Sequence, residues 1–309
     1  MIGISARLWL VCLSAALAVA AIASKNTAAQ DTAAQDAVRR QAVLARLPED
    51  AAQRVFGLVA APSPGPARPI GSYSKGCLAG AVALPADGPG WQVMRPSRNR
   101  AWGDPTMIAV IERLAAALPG TGWPGLLIGD IAQPRGGPML TGHASHQLGL
   151  DADIWLTPMP PRQLDSGERE GMPAVKVVTA DGNDVDRSLF GRAHYDLIEA
   201  AARLPETERI FVNPAIKREL CREAGADRDW LRRVRPWWGH DDHLHLRIVC
   251  PHGDPQCVNS IPPPPPGDGC GKELDWWFTD EARHPKPHPP ARPILVSDLP
   301  AACAALVGR

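Results

Sequence analysis

An excess of charge of one sign is missing from this sequence: 33 Lys and Arg stand against 33 Asp and Glu. A concentrated basic surplus is the footprint of nucleic-acid binding, so no such partner is expected. Long apolar runs are equally scarce. One opens the chain, and no other is long enough to span a bilayer. Phe and Tyr are few, 4 and 2, beside 10 Trp. Two metal-site signatures are also absent. Without H-E-x-x-H, the helix-borne zincin arrangement is excluded. Without C-x-x-C, a thiolate zinc site is a poor reading of the cysteines. What remains is a globular composition, 45% hydrophobic and 21% charged over 309 residues. That is room for one large domain or two small ones. The 33 prolines are about twice the usual share and predict much rigid, irregular backbone.

The opening run reads MIGISARLWLVCLSAALAVAAIA. Arg7 supplies a short positive region, Leu8–Val19 is apolar, and Ala21-Ile22-Ala23 is an A-x-A site. Residues 1–23 are therefore expected to be a secretory signal peptide cleaved after Ala23, with no membrane span left afterwards. Cys12 would leave with it. Cys77, Cys221, Cys250, Cys257, Cys270 and Cys303 remain. They form an even set in a compartment that permits disulfides, and spacing alone does not choose among the pairings.

Residues 24–70 read as a flexible N-terminal tail and linker. The first part is rich in Ala, Gln, Asp and Thr, and APSPGPARPI at 61–70 is an extended stretch. The ordered body is placed at 71–305. Its last part, 261–305, carries two proline-rich stretches that are extended rather than helical. Cys270 and Cys303 lie among them, which predicts a tail stapled to the body. Asp104-Pro105 before TMIAVIERLAAAL supplies a cap, Pro at the first helical position and an apolar stripe, with Pro119-Gly120 as the stop. Residues 194–204 predict a second helix. Asn213-Pro214 starts a third over AIKRELCREA, with Gly225 ending it. Residues 125–132 and 209–212 are β-like. Helices and strands mix without a strict βαβ rhythm, so the fold class is α+β.

Two windows hold five of the nine histidines. The first is GHASHQLGLDADIWL at 142–156, and the second is WWGHDDHLHLRI at 237–248. As strands, both alternate faces. His243, His245 and Arg247 share one face, with Leu244, Leu246 and Ile248 on the other. Asp151, Asp153 and Trp155 share a face, with Ala152, Ile154 and Leu156 opposite. If the strands are neighbours, a carboxylate and two imidazoles meet on one sheet face, projecting into a cleft or solvent. Two His nitrogens and a carboxylate oxygen are a three-ligand set for catalytic zinc, which leaves a position for water. A further His nearby supplies a base or an oxyanion donor.

At these residues the chain resembles a known group. H-x(6)-D (His146 to Asp153) followed by H-x-H (His243, His245) resembles the LAS metallopeptidases, the lysostaphin, D-Ala-D-Ala metallopeptidase and sonic hedgehog group. QPRGGPMLTGHASHQLGLDADIW, RIFVNPAIKRELC, DRDWLRRVRPWWGHDDHLHLRI and GDGCG are similar to the penicillin-insensitive murein endopeptidases, over nearly the whole mature body. The resemblance implies a hedgehog/DD-peptidase-like fold whose central antiparallel sheet carries the zinc site, with helices on the other face. It implies a periplasmic Zn2+ enzyme that cuts D-alanyl–meso-diaminopimelyl cross-links of peptidoglycan without an acyl-serine. His146, Asp153 and His245 match its zinc ligands and His243 its catalytic His. His240 and His143 match further histidines by the metal, His240 read as catalytic and His143 as a weaker ligand. A second metal site at a D-G-x-H stretch falls on Asp181-Gly182-Asn183-Asp184, where Asp replaces His; a solvated turn is the plainer reading of Asp181. The implied disulfides are Cys77–Cys303, Cys221–Cys270 and Cys250–Cys257.

Several residues stay open. Trp237 and Trp238 are read equally as a stacking platform or as packing, and Trp276-Trp277 as an anchor of the tail. Arg135 is read as a holder of a substrate carboxylate or as a surface ion pair. His194 is read as structural, and His252, His284 and His288 receive no role. Ser72-Tyr73-Ser74-Lys75 matches S-x-x-K without its S-D-N or K-T-G companions. The competing functions are a zinc DD-carboxypeptidase with the same metal site and a non-enzymatic zinc-binding module.

Overall fold

The structure, a computed structural model, describes residues 34–308 apart from His288 and Pro290. The expected signal peptide and its cleavage at Ala23 lie outside the described residues. Helix α1 covers 34–44. There follow α2 (Ala52–Gly57), β1 (Arg68–Ser72), β2 (Lys75–Ala79), β3 (Val82–Ala83), β4 (Asp87–Gly88), β5 (Trp91–Val93), β6 (Trp102–Gly103), α3 (Pro105–Ala117), β7 (Leu126–Ile128) and β8 (Asp151–Trp155). The second half runs α4 (Ser166–Gly171), α5 (Arg192–Arg203), β9 (Thr207–Val212), α6 (Pro214–Glu223), β10 (Val234–Pro236), β11 (His243–Ile248), β12 (Cys257–Val258), α7 (Lys272–Trp276), α8 (Asp280–Arg283) and α9 (Ala301–Leu306).

The helices start where their caps say. Asp104 accepts from the backbone of Thr106 ahead of α3, and Asn213 from Ala215 ahead of α6. Each is followed by Pro at the first helical position, whose missing N–H costs nothing there. Helix α6 ends a little before the expected Gly225, because Ala224 turns extended. Arg228 then donates to the carbonyls of Cys221 and Ala224, groups that a helix end leaves without intrahelical partners.

The main sheet has the order β10-β9-β11-β8-β7-β5-β4. Its centre, β9-β11-β8-β7, is antiparallel as expected. Its flanks are not: β10 joins β9 and β5 joins β7 in parallel. Both parallel pairs are linked through a helix, α6 and α3, and a helical crossover returns the chain in the same direction. The sheet is therefore mixed, within an α+β fold. One face carries Ala152, Ile154, Leu244, Leu246, Ile210 and Val212. It packs on Val110, Ile111 and Leu114 of α3 and on Leu197, Ile198 and Ala201 of α5, all in one buried cluster.

The segment expected to be a flexible tail and linker to residue 70 differs in the structure. Two helices lie within it, and β1 begins at Arg68. Ala52 and Phe56 of α2 share a separate core with Ile70, Cys77, Val296, Leu299 and Cys303. That core joins both ends of the chain, so a window of 24–70 shows only half of it. Two disulfides tie Cys270 and Cys303 to the rest of the chain. Cys77–Cys303, Cys221–Cys270 and Cys250–Cys257 are bonded, each with Cα atoms 5.7 Å apart. Among the described residues no helix is long and apolar enough to cross a membrane.

The Cys77–Cys303 bond closes a loop with a sequence separation of 226 residues. In the chain-entropy view a loop of that length stabilises by about 5 kcal/mol. The Cys77→Ser/Cys303→Ser protein is expected to lose up to that much in urea unfolding. An unchanged unfolding midpoint would remove the staple from the account of stability.

Candidate metal centre

The register of β8 against β11 assembles the site. Asp153 stands opposite His245, Asp151 opposite Arg247 and Trp155 opposite His243. Because side chains alternate along a strand, these six share the face turned away from the helices. His146 arrives from the loop before β8 with φ of 65°, a left-handed conformation uncommon outside Gly. Two bonds hold it there. Its backbone N–H donates to Asp151 Oδ2 at 2.9 Å, and its Nδ1–H donates to the Ile131 carbonyl at 2.7 Å.

Of the two expected settings, cleft or solvent, the structure has the cleft. His146 is 0% and His245 4% exposed. Trp155 belongs to a small cluster with Met94, Leu127 and Leu164 that roofs one end of the face. At the other end a cleft of about 630 Å³ opens beside His143, His240 and His245.

His245 Nε2–H donates to Asp151 Oδ1 at 2.9 Å, which leaves the lone pair on Nδ1. The Ile131 bond likewise leaves the lone pair of His146 on Nε2. These two nitrogens, each the one its ring has not committed to Asp151 or Ile131, lie 3.1 Å apart. Asp153 Oδ1 completes the triangle at 3.3 Å from each, and is buried without a hydrogen-bond partner. Burial opposes its charge. His146, His143 and His243 outweigh that and hold the Asp153 carboxyl well below the usual range. Three electron-pair donors converging on one another repel unless a cation sits among them. A tetrahedral ion with bonds near 2.1 Å spans ligand atoms about 3.4 Å apart, close to the edges of this triangle. The donor set therefore fits a metal ion.

His143 adds a third imidazole beside the triangle. Its Nε2 is 3.1 Å from Asp130 Oδ2 and 3.4 Å from Asp153 Oδ2. His143, His146 and Asp153 place donor atoms within 4.8 Å of one another. Asp130 is itself buried and anchored by Arg100 Nη1 at 2.8 Å. His243 lies at the rim. Its Nδ1 meets Asp242 Oδ1 at 2.5 Å, and its Nε2 is 3.7 Å from Asp153 Oδ1. Burial would lower its basicity, but Asp153 and Asp242 prevail and push its pKa up to about 9. His240, at φ of 51°, packs 4.9 Å from the His243 ring. Burial first, then His243 and His245, push its pKa down to about 4.

The profile of the family described as penicillin-insensitive murein endopeptidase matches residues 69–308. The chain belongs to the penicillin-insensitive murein endopeptidase family. Relatives bearing that name agree. One from Haemophilus influenzae is 50% identical over 214 residues, 69% of this chain and 74% of the relative. One from Klebsiella pneumoniae is 45% identical over 246 residues, 80% and 88% of the two chains. One from Escherichia coli is 42% identical over 267 residues, 83% and 97%. As a member of a murein endopeptidase family the chain is a peptidase, a hydrolase, and the donor triangle is its candidate centre.

The structure thus brings His143, His146, Asp153, His240, His243 and His245 together. It leaves Asp181 elsewhere. That carboxylate lies in an exposed turn between the bridged Val178 and Val185, accepting from Thr179 Oγ1 at 2.6 Å and Asn183 Nδ2 at 2.8 Å. Asp184, where the family resemblance places a His, pairs with Arg222. Arg135 donates to the carbonyls of Ala61 and Leu306 and does not line the cleft beside His143 and His245. His194 is structural: it bonds the Leu156 carbonyl at 2.9 Å between Trp123 and Phe190. Trp237 lines the cleft and meets Phe211 edge-on, while Trp277 packs against both Trp237 and Trp238.

Sequence reasoning missed the carboxylates behind the imidazoles: Asp151, Asp130 and Asp242. For Asp151 a signal existed, since it shares the strand face of Asp153. Partners behind ligating histidines set their orientation and basicity, and losing one typically weakens metal binding about 10–100-fold. Asp151→Asn is expected to weaken metal binding by that much in chelator competition. Undiminished affinity would separate Asp151 from the metal.

Proposed function

We propose that this chain is a zinc-dependent murein DD-endopeptidase that hydrolyses D-alanyl–meso-diaminopimelyl cross-links of peptidoglycan in the periplasm. The observation that carries the reading is the orphaned Asp153 oxygen facing two lone-pair nitrogens, in a chain of this family. Two imidazoles and one carboxylate are a zinc set of the catalytic kind, with room for a fourth position. Three disulfides suit an oxidising compartment, where murein also lies.

In this reading His146, Asp153 and His245 hold the ion. Bound zinc supplies a Lewis acid that polarises the scissile carbonyl and acidifies water. The protein's own groups do the rest. Asp151 and the Ile131 carbonyl fix the tautomers of the two imidazoles. Asp242 holds the Nδ1 proton of His243, so that Nε2–H faces the site and donates to the departing diaminopimelyl amine or to oxygen charge. His240 stays neutral, kept so by burial, and shields the rim. Asp130 and Arg100 steady His143 on the far side. No activated serine takes part, so β-lactams find nothing to acylate.

Purified muropeptide dimers are expected to fall to monomers, to survive when a chelator is present, and to be cut equally with penicillin. Free D-Ala released while dimers persist would make the enzyme a carboxypeptidase instead. Cleavage that resists chelation would sink the metal reading. Asp153→Ala and His245→Ala should each emerge folded and without zinc by elemental analysis; one zinc per chain in either contradicts the ligand set. His243→Ala should keep its zinc and lose about 10²–10⁴ in kcat, the usual worth of a positioned proton donor. Near-normal turnover would take His243 out of the mechanism.

A further inference from the structure

The site face of the sheet extends beyond the donor triangle. On β9, Phe211 stands opposite His245 and Arg209 opposite Arg247. By the same alternation, Arg209 shares the face of the metal ligands. Like charges directly across a strand pair repel, so two facing guanidiniums need anions. Arg247 has one. Its Nε donates to Asp151 Oδ1 at 2.7 Å, and its plane lies 4.1 Å over the Tyr73 ring. Arg235, across from Phe211 on β10, is paired with Glu273.

Arg209 has no ion pair among the described residues. It donates through Nη2 to the Pro262 carbonyl, and its Nε is buried with no partner at all. Nearby carboxylates are committed. Asp151 serves His146, His245 and Arg247, and Glu208 accepts from the backbone and hydroxyl of Ser260. A buried donor left unmade is expensive. Here it is kept, in the same cleft as His143 and His245. Among the described residues the cleft thus holds one cation without a carboxylate, Arg209, about 7 Å along the strands from the Phe211–His245 pair.

We propose that Arg209 is the specificity-determining residue of this cleft, binding the free carboxylate of the diaminopimelyl residue beside the scissile bond. The assignment rests on the endopeptidase reading above. In that substrate the carbon bearing the scissile nitrogen also bears a carboxylate, so an anion necessarily lies close to the metal. A planar guanidinium fork with unfilled N–H groups matches a carboxylate in shape as well as charge. Amidation of that carboxylate removes the charge and sets two N–H groups against the fork.

The test compares dimers whose diaminopimelyl carboxylate is free with dimers in which it is amidated. Wild-type enzyme is expected to prefer the free carboxylate about 10–100-fold in kcat/KM, the range of a charge-assisted hydrogen bond. Arg209→Gln should lose that factor on the free form and treat both dimers alike, with zinc content and thermal unfolding unchanged. Arg209→Lys should recover part of the preference, since it keeps the charge and loses the fork. A wild type that cuts both dimers equally overturns the proposal, as does an Arg209→Gln enzyme that still discriminates. If wild-type enzyme cuts neither, the endopeptidase reading fails. Calorimetric binding of free and amidated monomer peptides to wild type and Arg209→Gln then decides the subsite by itself. Preferential binding of the free form that vanishes in the variant supports it, and equal binding refutes it.

Discussion

Asp151 is fully buried, and its two oxygens hold three groups at once. Oδ2 takes the backbone N–H of the strained His146, while Oδ1 takes His245 Nε2–H and Arg247 Nε–H. Burial alone would keep this carboxyl neutral. Arg247, His245 and His146 reverse that and hold it far below the usual carboxylate range. A neutral carboxyl would accept fewer bonds and leave the His245 tautomer unset. The ionised form orients the His245 ring toward Asp153, as the Ile131 carbonyl orients that of His146. The candidate metal centre is thus built on a charge that lies outside the donor triangle itself.

That arrangement needs a rigid base, and the sheet supplies it. The antiparallel pair β8–β11 sets Asp153 across from His245, and a one-residue slip would turn the donors into the helix-packed core. The core forbids such a slip, because Ala152, Ile154, Leu244 and Leu246 are wholly buried under α3 and α5. Apolar packing on one face therefore fixes polar geometry on the other. Chain ends contribute at longer range. Arg135, held by Ala61 and Leu306 carbonyls, and the Cys77–Cys303 bond tie the tail down where it shares a second core with α2.

Charge bookkeeping on the site face separates groups that are satisfied from groups that wait. Arg247, Arg235 and Arg100 each face a carboxylate. His243 and His240 sit 4.9 Å apart yet are driven in opposite directions, upward by Asp153 and Asp242 and downward by burial. Groups pushed apart in this way divide proton-carrying from neutral roles. Among the described residues, Asp153 Oδ1, Arg209 Nε and Arg235 Nη1 on this face are buried without a partner; Arg235 has Glu273 to balance its charge, whereas Arg209 has no carboxylate.

The sequence by itself determined whatever depends on local periodicity and capping. The alternation in HLHLRI and DADIW assigned faces, and Asp104-Pro105 and Asn213-Pro214 started α3 and α6. The family segments pointed to His146, Asp153 and His245, which the fold brings together, and to disulfide pairs that the structure contains. Only the tertiary structure decided how far the donors are from water, which carboxylate stands behind which imidazole, and that Arg135 serves the chain ends while Arg209 faces the cleft. It also turned part of the supposed linker into α2 and the flanks of the sheet parallel. The reason is common to all of these. Strand faces and helix starts are set by neighbours a few residues away. Burial, tautomers and ion pairing are set by partners such as Asp151 and His245, which lie far apart in the chain and meet only when the sheet closes.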